Sequence, residues 1–361
     1  MINILLILAR HVDGHPLLYE QTKLDRSRFR VLTHALSSAE RPKSRWFNPT
    51  TIAGVKRIIV NEGIDIVHAH LYKPTLTSVI AARGAGRPGR RPAVISTIHG
   101  LGSARTSMRR LTNRYFLRRV ARLVAVCDAV RDDILQANPW LDPERVVAIP
   151  NGLDYDRFPA DMDIGAARAT IPFAQKEGFW FGAVTRLQRG KNVHTLLDAF
   201  RTVAAAFGDA RLVVAGTGPE RDRLEAMAQS AGLKDRVAFV GFRKDIPVVL
   251  RAVDCFVHTS LREGLPLALL EAMASGLPVV ASARGGIVEV FGRIQMGAMV
   301  DPEDPAAIAA AMTNMINRSD ADRHALGKGA RQRALGDFGA RKMVESLEEL
   351  YELVFRETFS P

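Results

Sequence analysis

Short apolar runs alternate with stretches of helical periodicity through both halves of this chain, the pattern of βα units on a parallel sheet. In the first half strands are predicted at 2–9, 30–34, 64–69, 93–98, 123–127 and 146–149. In the second they are predicted at 179–184, 211–215, 237–240, 255–258, 278–281 and 298–300. Apolar positions at helical spacing fall between them, at 193–207, 220–230, 267–274 and 305–316. Residues 157–178 lack a clear period and hold Pro159 and Pro172, so a linker is expected there. The pattern divides the chain into a domain at 1–160, a linker at 161–177 and a domain at 178–340. A C-terminal helix at 341–361 follows, for which packing back on the first domain is one option. The expected architecture is α/β, with two doubly wound Rossmann-like domains facing each other across a cleft. Ligands of such sheets bind beyond the C-terminal ends of the strands.

Composition narrows the class. The 361 residues are 47% apolar and 24% charged, which suits a soluble chain with two cores. No apolar stretch is long enough to span a bilayer. Residues 1–8 lack a basic start and read as a buried first strand, not a signal peptide. The only cysteines, Cys127 and Cys255, lie far apart, which points away from a disulfide framework and toward the cytoplasm. Charge is one-sided. Residues 1–160 hold 25 Lys and Arg against 13 Asp and Glu, whereas 161–361 hold 25 of each. The excess in the first half suggests an anionic partner, namely a membrane surface, a phosphorylated acceptor or nucleic acid. The plain alternative is an Arg-rich composition with no specific partner.

Four strand-to-helix turns in the second half carry candidate chemistry. In Thr185-Arg186-Leu187-Gln188-Arg189-Gly190-Lys191-Asn192, the cations Arg186 and Lys191 follow a strand and precede a helix, which suits a diphosphate. Gly216-Thr217-Gly218 follows the next strand and reads as a phosphate-facing turn. Arg221 replaces the third glycine of a dinucleotide fingerprint, so the signal for NAD is weak. Glu263-Gly264-Leu265-Pro266-Leu267-Ala268-Leu269-Leu270-Glu271 places two glutamates around a turn and a helix start. There Pro266 pre-sets the helix. The amides of Leu267, Ala268 and Leu269 are expected to face an anion. Glu271 is placed to accept from a ribose diol, and Glu263 to reach a sugar. The fourth turn, Gly241-Phe242-Arg243-Lys244-Asp245, is either a backbone reader of a nucleobase or a loop closed by an N-cap aspartate.

Taken in order, Arg186…Lys191, Gly216-Thr217-Gly218 and Glu263…Glu271 resemble the retaining glycosyltransferases of family 4, which have the GT-B fold. Gly276-Leu277-Pro278, Gly285-Gly286…Glu289, Asn151-Gly152 and, in the first half, His68-Ala69-His70 and His99-Gly100 extend the resemblance from about Ile64 to the C-terminus. The resemblance implies an acceptor-side first domain and a second domain that binds a nucleotide-diphosphate sugar. It implies Arg186 and Lys191 on the diphosphate, Glu271 on the ribose, Glu263 on the sugar hydroxyls and His99 facing the sugar. Gly216, Thr217, Gly218, Arg243, Gly264 and Leu265 join the donor contacts. No metal and no cofactor beyond the donor are implied. The acceptor is then a glycan or lipid-linked molecule of cell-surface polysaccharide synthesis, reached from the cytoplasm at the inner face of the membrane. One departure stands out. The family's Gly-Gly turn after the first strand is replaced by Ala9-Arg10-His11-Val12-Asp13-Gly14-His15-Pro16.

Residues from Arg105 to Arg122 are Arg-dense. Arg110, Arg114, Arg118 and Arg122 recur at helical steps opposite Phe116, Val120 and Leu123. This reads either as an amphipathic membrane-docking helix or as a packed helix with a solvated basic face. Asp161-Met162-Asp163 has the look of a metal-binding DxD but falls in the linker. His68 and His70 lack carboxylate or cysteine partners at zinc spacing. An epimerase or phosphorylase on the same scaffold remains an alternative, though no pyridoxal-phosphate lysine motif is found. A nucleic-acid binder is not expected, since the first half lacks interleaved aromatic and basic residues.

Overall fold

The structure, a computed structural model, describes residues 1–9, 23–36, 48–85, 91–102, 107–159, 162–173, 177–292 and 294–359. The chain forms two compact units, Met1–Gly152 with Ala340–Pro361, and Leu153–Gly339.

The first unit contains β1 (Ile2–Leu8), β2 (Phe29–Ala35), α1 (Pro49–Asn61), β3 (Ile66–His70), α2 (Tyr72–Ala85), β4 (Ala93–Ile98), α3 (Ser107–Phe116), β5 (Arg122–Ala125), α4 (Asp128–Ala137) and β6 (Val146–Ala148). Its six strands are parallel in the order β2-β1-β3-β4-β5-β6. Both faces of the sheet are covered, so β1 is apolar without interruption rather than alternating. Ile4 and Leu6 join one core cluster, and Leu5 and Ile7 another.

The second unit contains α5 (Ile164–Ala169), β7 (Trp180–Val184), α6 (Val193–Ala206), β8 (Arg211–Ala215), α7 (Arg221–Ser230), β9 (Val237–Gly241), α8 (Ile246–Arg251), β10 (Cys255–His258), α9 (Leu267–Ala274), β11 (Val279–Ser282), α10 (Gly286–Phe291), β12 (Gly297–Val300), α11 (Pro305–Asn317) and α12 (Asp320–Asp337). The strand order β12-β11-β10-β7-β8-β9 is the doubly wound Rossmann order, with its reversal between β7 and β10. Each predicted strand lies within two residues of an observed one.

The last helix, α13 (Ala340–Phe359), completes the first unit. Its Met343, Val344, Leu347, Leu350, Tyr351 and Val354 are buried against β1, β3 and β4 residues. The stretch expected as a linker carries α5, capped by the Asp163 carboxylate, which accepts from Ala166 N at 2.6 Å. Asp161 lies outside the described residues. Ile171 and Phe173 are buried, and Arg168 pairs with Asp254 at 2.7 Å, tying this segment into the second unit.

The Arg-dense segment departs from the expected continuous helix. Helix α3 ends at Phe116, Leu117–Arg119 form a 3-10 turn, and Arg122 opens β5. The cause is local. The Arg145 guanidinium donates to the carbonyls of Leu117, Arg118 and Val120, which satisfies the helix end and lets the chain turn into the sheet. Arg110 and Arg114 remain on the exposed face of α3, whereas Arg122 pairs with Glu357 at 2.6 Å. Arg105 lies outside the described residues, as do residues 10–16 of the altered first-strand turn.

Candidate functional site

Open parallel sheets bind ligands where strand order reverses, beyond the C-terminal strand ends. In the second unit that position lies after β7 and β10, and the sequence puts its charged residues there. After β7 the chain makes a 3-10 turn at Arg189–Lys191, and Asn192 adopts the left-handed conformation at φ 59° and ψ 32°. The Asn192 side chain donates to Pro302 O at 2.5 Å and accepts from Thr195 Oγ1 at 2.7 Å. Those bonds offset the strain of a left-handed non-glycine residue. The β10–α9 loop is stitched to this turn. Leu261 N donates to Gly190 O at 3.0 Å, and Thr259 Oγ1 lies 3.3 Å from Asn192 O.

This stitching brings Lys191 Nζ onto Glu263 Oε1 in a mostly buried ion pair. His258 Nε2, at the end of β10, lies 3.3 Å from the same oxygen. Burial pushes the His258 imidazole down to about 4; Glu263 opposes this and Lys191 reinforces it. The imidazole is therefore neutral at physiological pH. Arg186, on the same loop, is exposed and makes no ion pair among the described residues.

Gly216 and Gly218 serve packing first. A Cβ at Gly216 would lie 1.8 Å from Thr185 O, and one at Gly218 2.1 Å from Leu187 O. Leu187 N donates to Thr217 O at 2.9 Å, so this turn buttresses the Arg186–Lys191 loop while Thr217 stays exposed.

Gly264 and Leu265 are buried in the turn before α9. Pro266 is the N-cap residue, not the first helical one, and no side chain caps the helix. Leu269 N donates to Pro266 O at 3.1 Å. The amides left without an intrahelical acceptor are thus those of Leu267 and Ala268, two of the three expected. One turn further in, Glu271 is only partly exposed. Burial pushes its carboxyl group up to about 7, opposed by the Arg157 guanidinium.

Arg243 is committed elsewhere. It binds both carboxylate oxygens of Asp245, at 2.7 and 2.5 Å, beyond β9 at the sheet edge. Asp245 is the N-cap of α8 by position, with no side-chain cap bond.

In the first unit His99 follows β4. Its Nε2 lies 3.2 Å from His70 Nδ1, and the His68, His70 and His99 rings stack in series. His68 bridges Tyr351 OH at 2.6 Å and Thr97 Oγ1 at 2.7 Å, and burial holds its basicity well below the usual range. Leu71, directly after β3, takes a left-handed φ of 76°. It borders a largely apolar pocket of roughly 230 Å³ that is also lined by Tyr72, Ile98, His99, Arg109 and Leu117. Among the described residues, no group of three or more His, Cys, Asp and Glu gathers in metal-binding geometry.

Sequence reasoning missed His258, Arg157 and Tyr351. His258 was legible only as the last residue of an apolar strand, and Arg157 and Tyr351 reach their partners across long sequence separations.

Residues 170–333 match the family described as glycosyl transferases group 1, and residues 7–157 match Glycosyltransferase Family 4. The UDP-Gal:alpha-D-GlcNAc-diphosphoundecaprenol alpha-1,3-galactosyltransferase of Escherichia coli is 27% identical over 310 residues, covering 83% of this chain and 78% of that one. The N-acetyl-alpha-D-glucosaminyl L-malate synthase of Bacillus anthracis is 25% identical over 302 residues, covering 82% and 76%. Among solved structures, Anabaena HepE in complex with UDP-glucose superposes with a TM-score of 0.83 at 23% identity, covering 98% of this chain and 100% of that one. A glycosyltransferase from Rickettsia africae gives 0.81 at 17% identity, covering 98% and 99%. With its two Rossmann-like sheets and two matches that together span most of its length, the chain belongs to the family 4 glycosyltransferases of GT-B fold.

Proposed function

We propose that the protein is a retaining hexosyltransferase that moves a sugar from a UDP-sugar to a lipid-linked glycan acceptor in surface-polysaccharide synthesis. The observation that carries this reading is the Lys191–Glu263 pair at the β7/β10 switch point, beside the open amides of α9 and with Glu271 one turn in. In this reading Lys191 and the exposed Arg186 take the charge of the diphosphate, the role a divalent metal fills elsewhere. The amides of Leu267 and Ala268 add two donors. Glu271 accepts from the ribose diol and Glu263 from a sugar hydroxyl. The E. coli relative, which uses UDP-Gal and a diphosphoundecaprenol acceptor by its name, supports the choice of donor and acceptor class.

The chemistry then needs no enzymic nucleophile. The acceptor oxygen bonds to the anomeric carbon on the face from which UDP departs, the carbon–phosphate oxygen bond breaks, and the acceptor proton passes to the leaving phosphate. The protein's part is to orient the reactants and stabilise charge. The pocket beside His99 is the acceptor-side candidate.

Lys191→Ala and Glu271→Ala should each lower kcat/KM for the UDP-sugar by about tenfold or more, roughly 1.4 kcal/mol of transition-state stabilisation. Wild-type-like kinetics in both would remove the donor-site assignment.

Docking at the inner face of the membrane is part of the same proposal. No helix among the described residues is long and apolar enough to cross a bilayer. Helix α3 does present exposed Arg110 and Arg114 with Leu111 at 67% and Tyr115 at 49% exposure, the mixture that seats in a lipid headgroup layer.

A further inference from the structure

Both protein groups that approach Glu263 converge on one of its oxygens. Lys191 Nζ and His258 Nε2 both meet Oε1, and Oε2 has no protein partner among the described residues. The Lys191 contact cannot persist at full strength in a donor complex, because the same ammonium is needed by the diphosphate. Glu263, whose side chain is only 12% exposed, would then lose its main counter-charge in a site that disfavours bare carboxylates.

His258 is the second group at hand. It is fully enclosed, with a side chain 4% exposed, and its Nε2 makes no well-aligned hydrogen bond among the described residues. A neutral imidazole carries one N–H, and the tautomer with the proton on Nε2 faces the carboxylate with a donor. The other tautomer sets a lone pair against it. No other acceptor is within hydrogen-bonding geometry of this nitrogen among the described residues.

We propose that His258 is the positioning residue of Glu263: its Nε2–H takes over Oε1 when Lys191 turns to the diphosphate, and so keeps Oε2 aimed at the donor's sugar. This rests on the donor-site reading above. His258 touches no substrate. Its effect is felt through the sugar and not through the nucleotide, because the diphosphate and ribose contacts lie on other residues.

The test compares His258→Leu, which removes the donor, His258→Asn, which reaches only the Nδ1 position, and His258→Gln, whose amide reaches the Nε2 position. UDP binding is measured by calorimetry, and turnover with the UDP-hexose that the wild type uses fastest. The proposal expects His258→Leu and His258→Asn to lower kcat by about tenfold while UDP affinity stays within about threefold, and His258→Gln to recover most of the loss. Turnover within about threefold of wild type in His258→Asn overturns it, as does a Gln variant no better than Asn. A parallel loss of UDP affinity also overturns it, because that marks a merely structural histidine. If His258→Leu does not fold, the Asn and Gln pair decides alone. Lys191→Ala in the same assays separates the two readings: if it too is wild-type-like, the donor site itself is misplaced.

Discussion

His258 and Glu271 flank the same loop and helix, yet burial moves them in opposite directions along the pH axis. His258 sits near 4 in the folded chain against an ordinary value near 6.5. Between those values the unfolded chain binds the extra proton, so stability rises with pH and is lost as pH falls through 4. Glu271 sits near 7 against an ordinary 4.5. There the folded state keeps a proton that the unfolded chain has released, so its contribution is present below 4.5 and lost as pH rises through 7. Each shift corresponds to roughly 3 kcal/mol. His258→Leu should therefore gain thermal stability relative to wild type at pH 5 over pH 7.5, and Glu271→Gln at pH 8 over pH 5. Differences in Tm that do not vary with pH would refute both assignments. Glu263, Lys191 and Glu271 were legible in the sequence because their spacing around a predicted turn and helix is informative. A lone histidine closing an apolar strand carries no such spacing. Its role depends on what a separate loop delivers to it.

At the scale of elements, the loop bearing Arg186 and Lys191 is held by shape. Gly216 and Gly218 let the next strand's turn lie against the carbonyls of Thr185 and Leu187, and Asn192 closes the loop in a left-handed conformation. Asn192→Gly keeps the backbone and loses the side-chain bonds, costing about 1 kcal/mol; Asn192→Ala adds a left-handed penalty of about 1–2 kcal/mol. Denaturant melts should thus rank wild type, Gly, Ala in falling stability. An Ala variant equal to Gly would show that the turn relaxes. Gly216→Ala should be worse than either, because backbone cannot step aside as a flexible side chain can. The glycine turn was visible as a phosphate-facing feature, but its packing duty was not, since that depends on a loop beyond another strand. One element went unpredicted and another was misread, for similar reasons. Helix α12 has a weak apolar period because it packs through small residues, with Gly327 so close to Gly276 O that a Cβ would lie 1.9 Å away. The Arg-dense helix was extended too far because Arg145, which satisfies its end, comes from beyond α4.

For the molecule as a whole, the charge asymmetry seen in the sequence persists in the folded units. The first unit holds 27 Lys and Arg against 16 Asp and Glu, and the second 23 against 22. Helix α13 is acidic and covers part of that basic surface, with Glu348 and Glu352 on Arg28 and Glu357 on Arg122. The unneutralised cations therefore lie elsewhere, and Arg110, Arg114 and Arg118 around α3 are exposed. Each basic residue close to an anionic bilayer adds about 1 kcal/mol, and the attraction fades with salt. Reversing Arg110, Arg114 and Arg118 to Glu should abolish sedimentation with phosphatidylserine vesicles at low salt while leaving the thermal melt almost unchanged, because none of the three forms an ion pair among the described residues. Reversing Arg28 and Arg122 instead should leave vesicle binding in place and lower stability, since it sets like charges against the glutamates of a helix that builds the core. If both sets of reversals weaken sedimentation equally, attraction comes from net charge alone, and α3 has no special place in it.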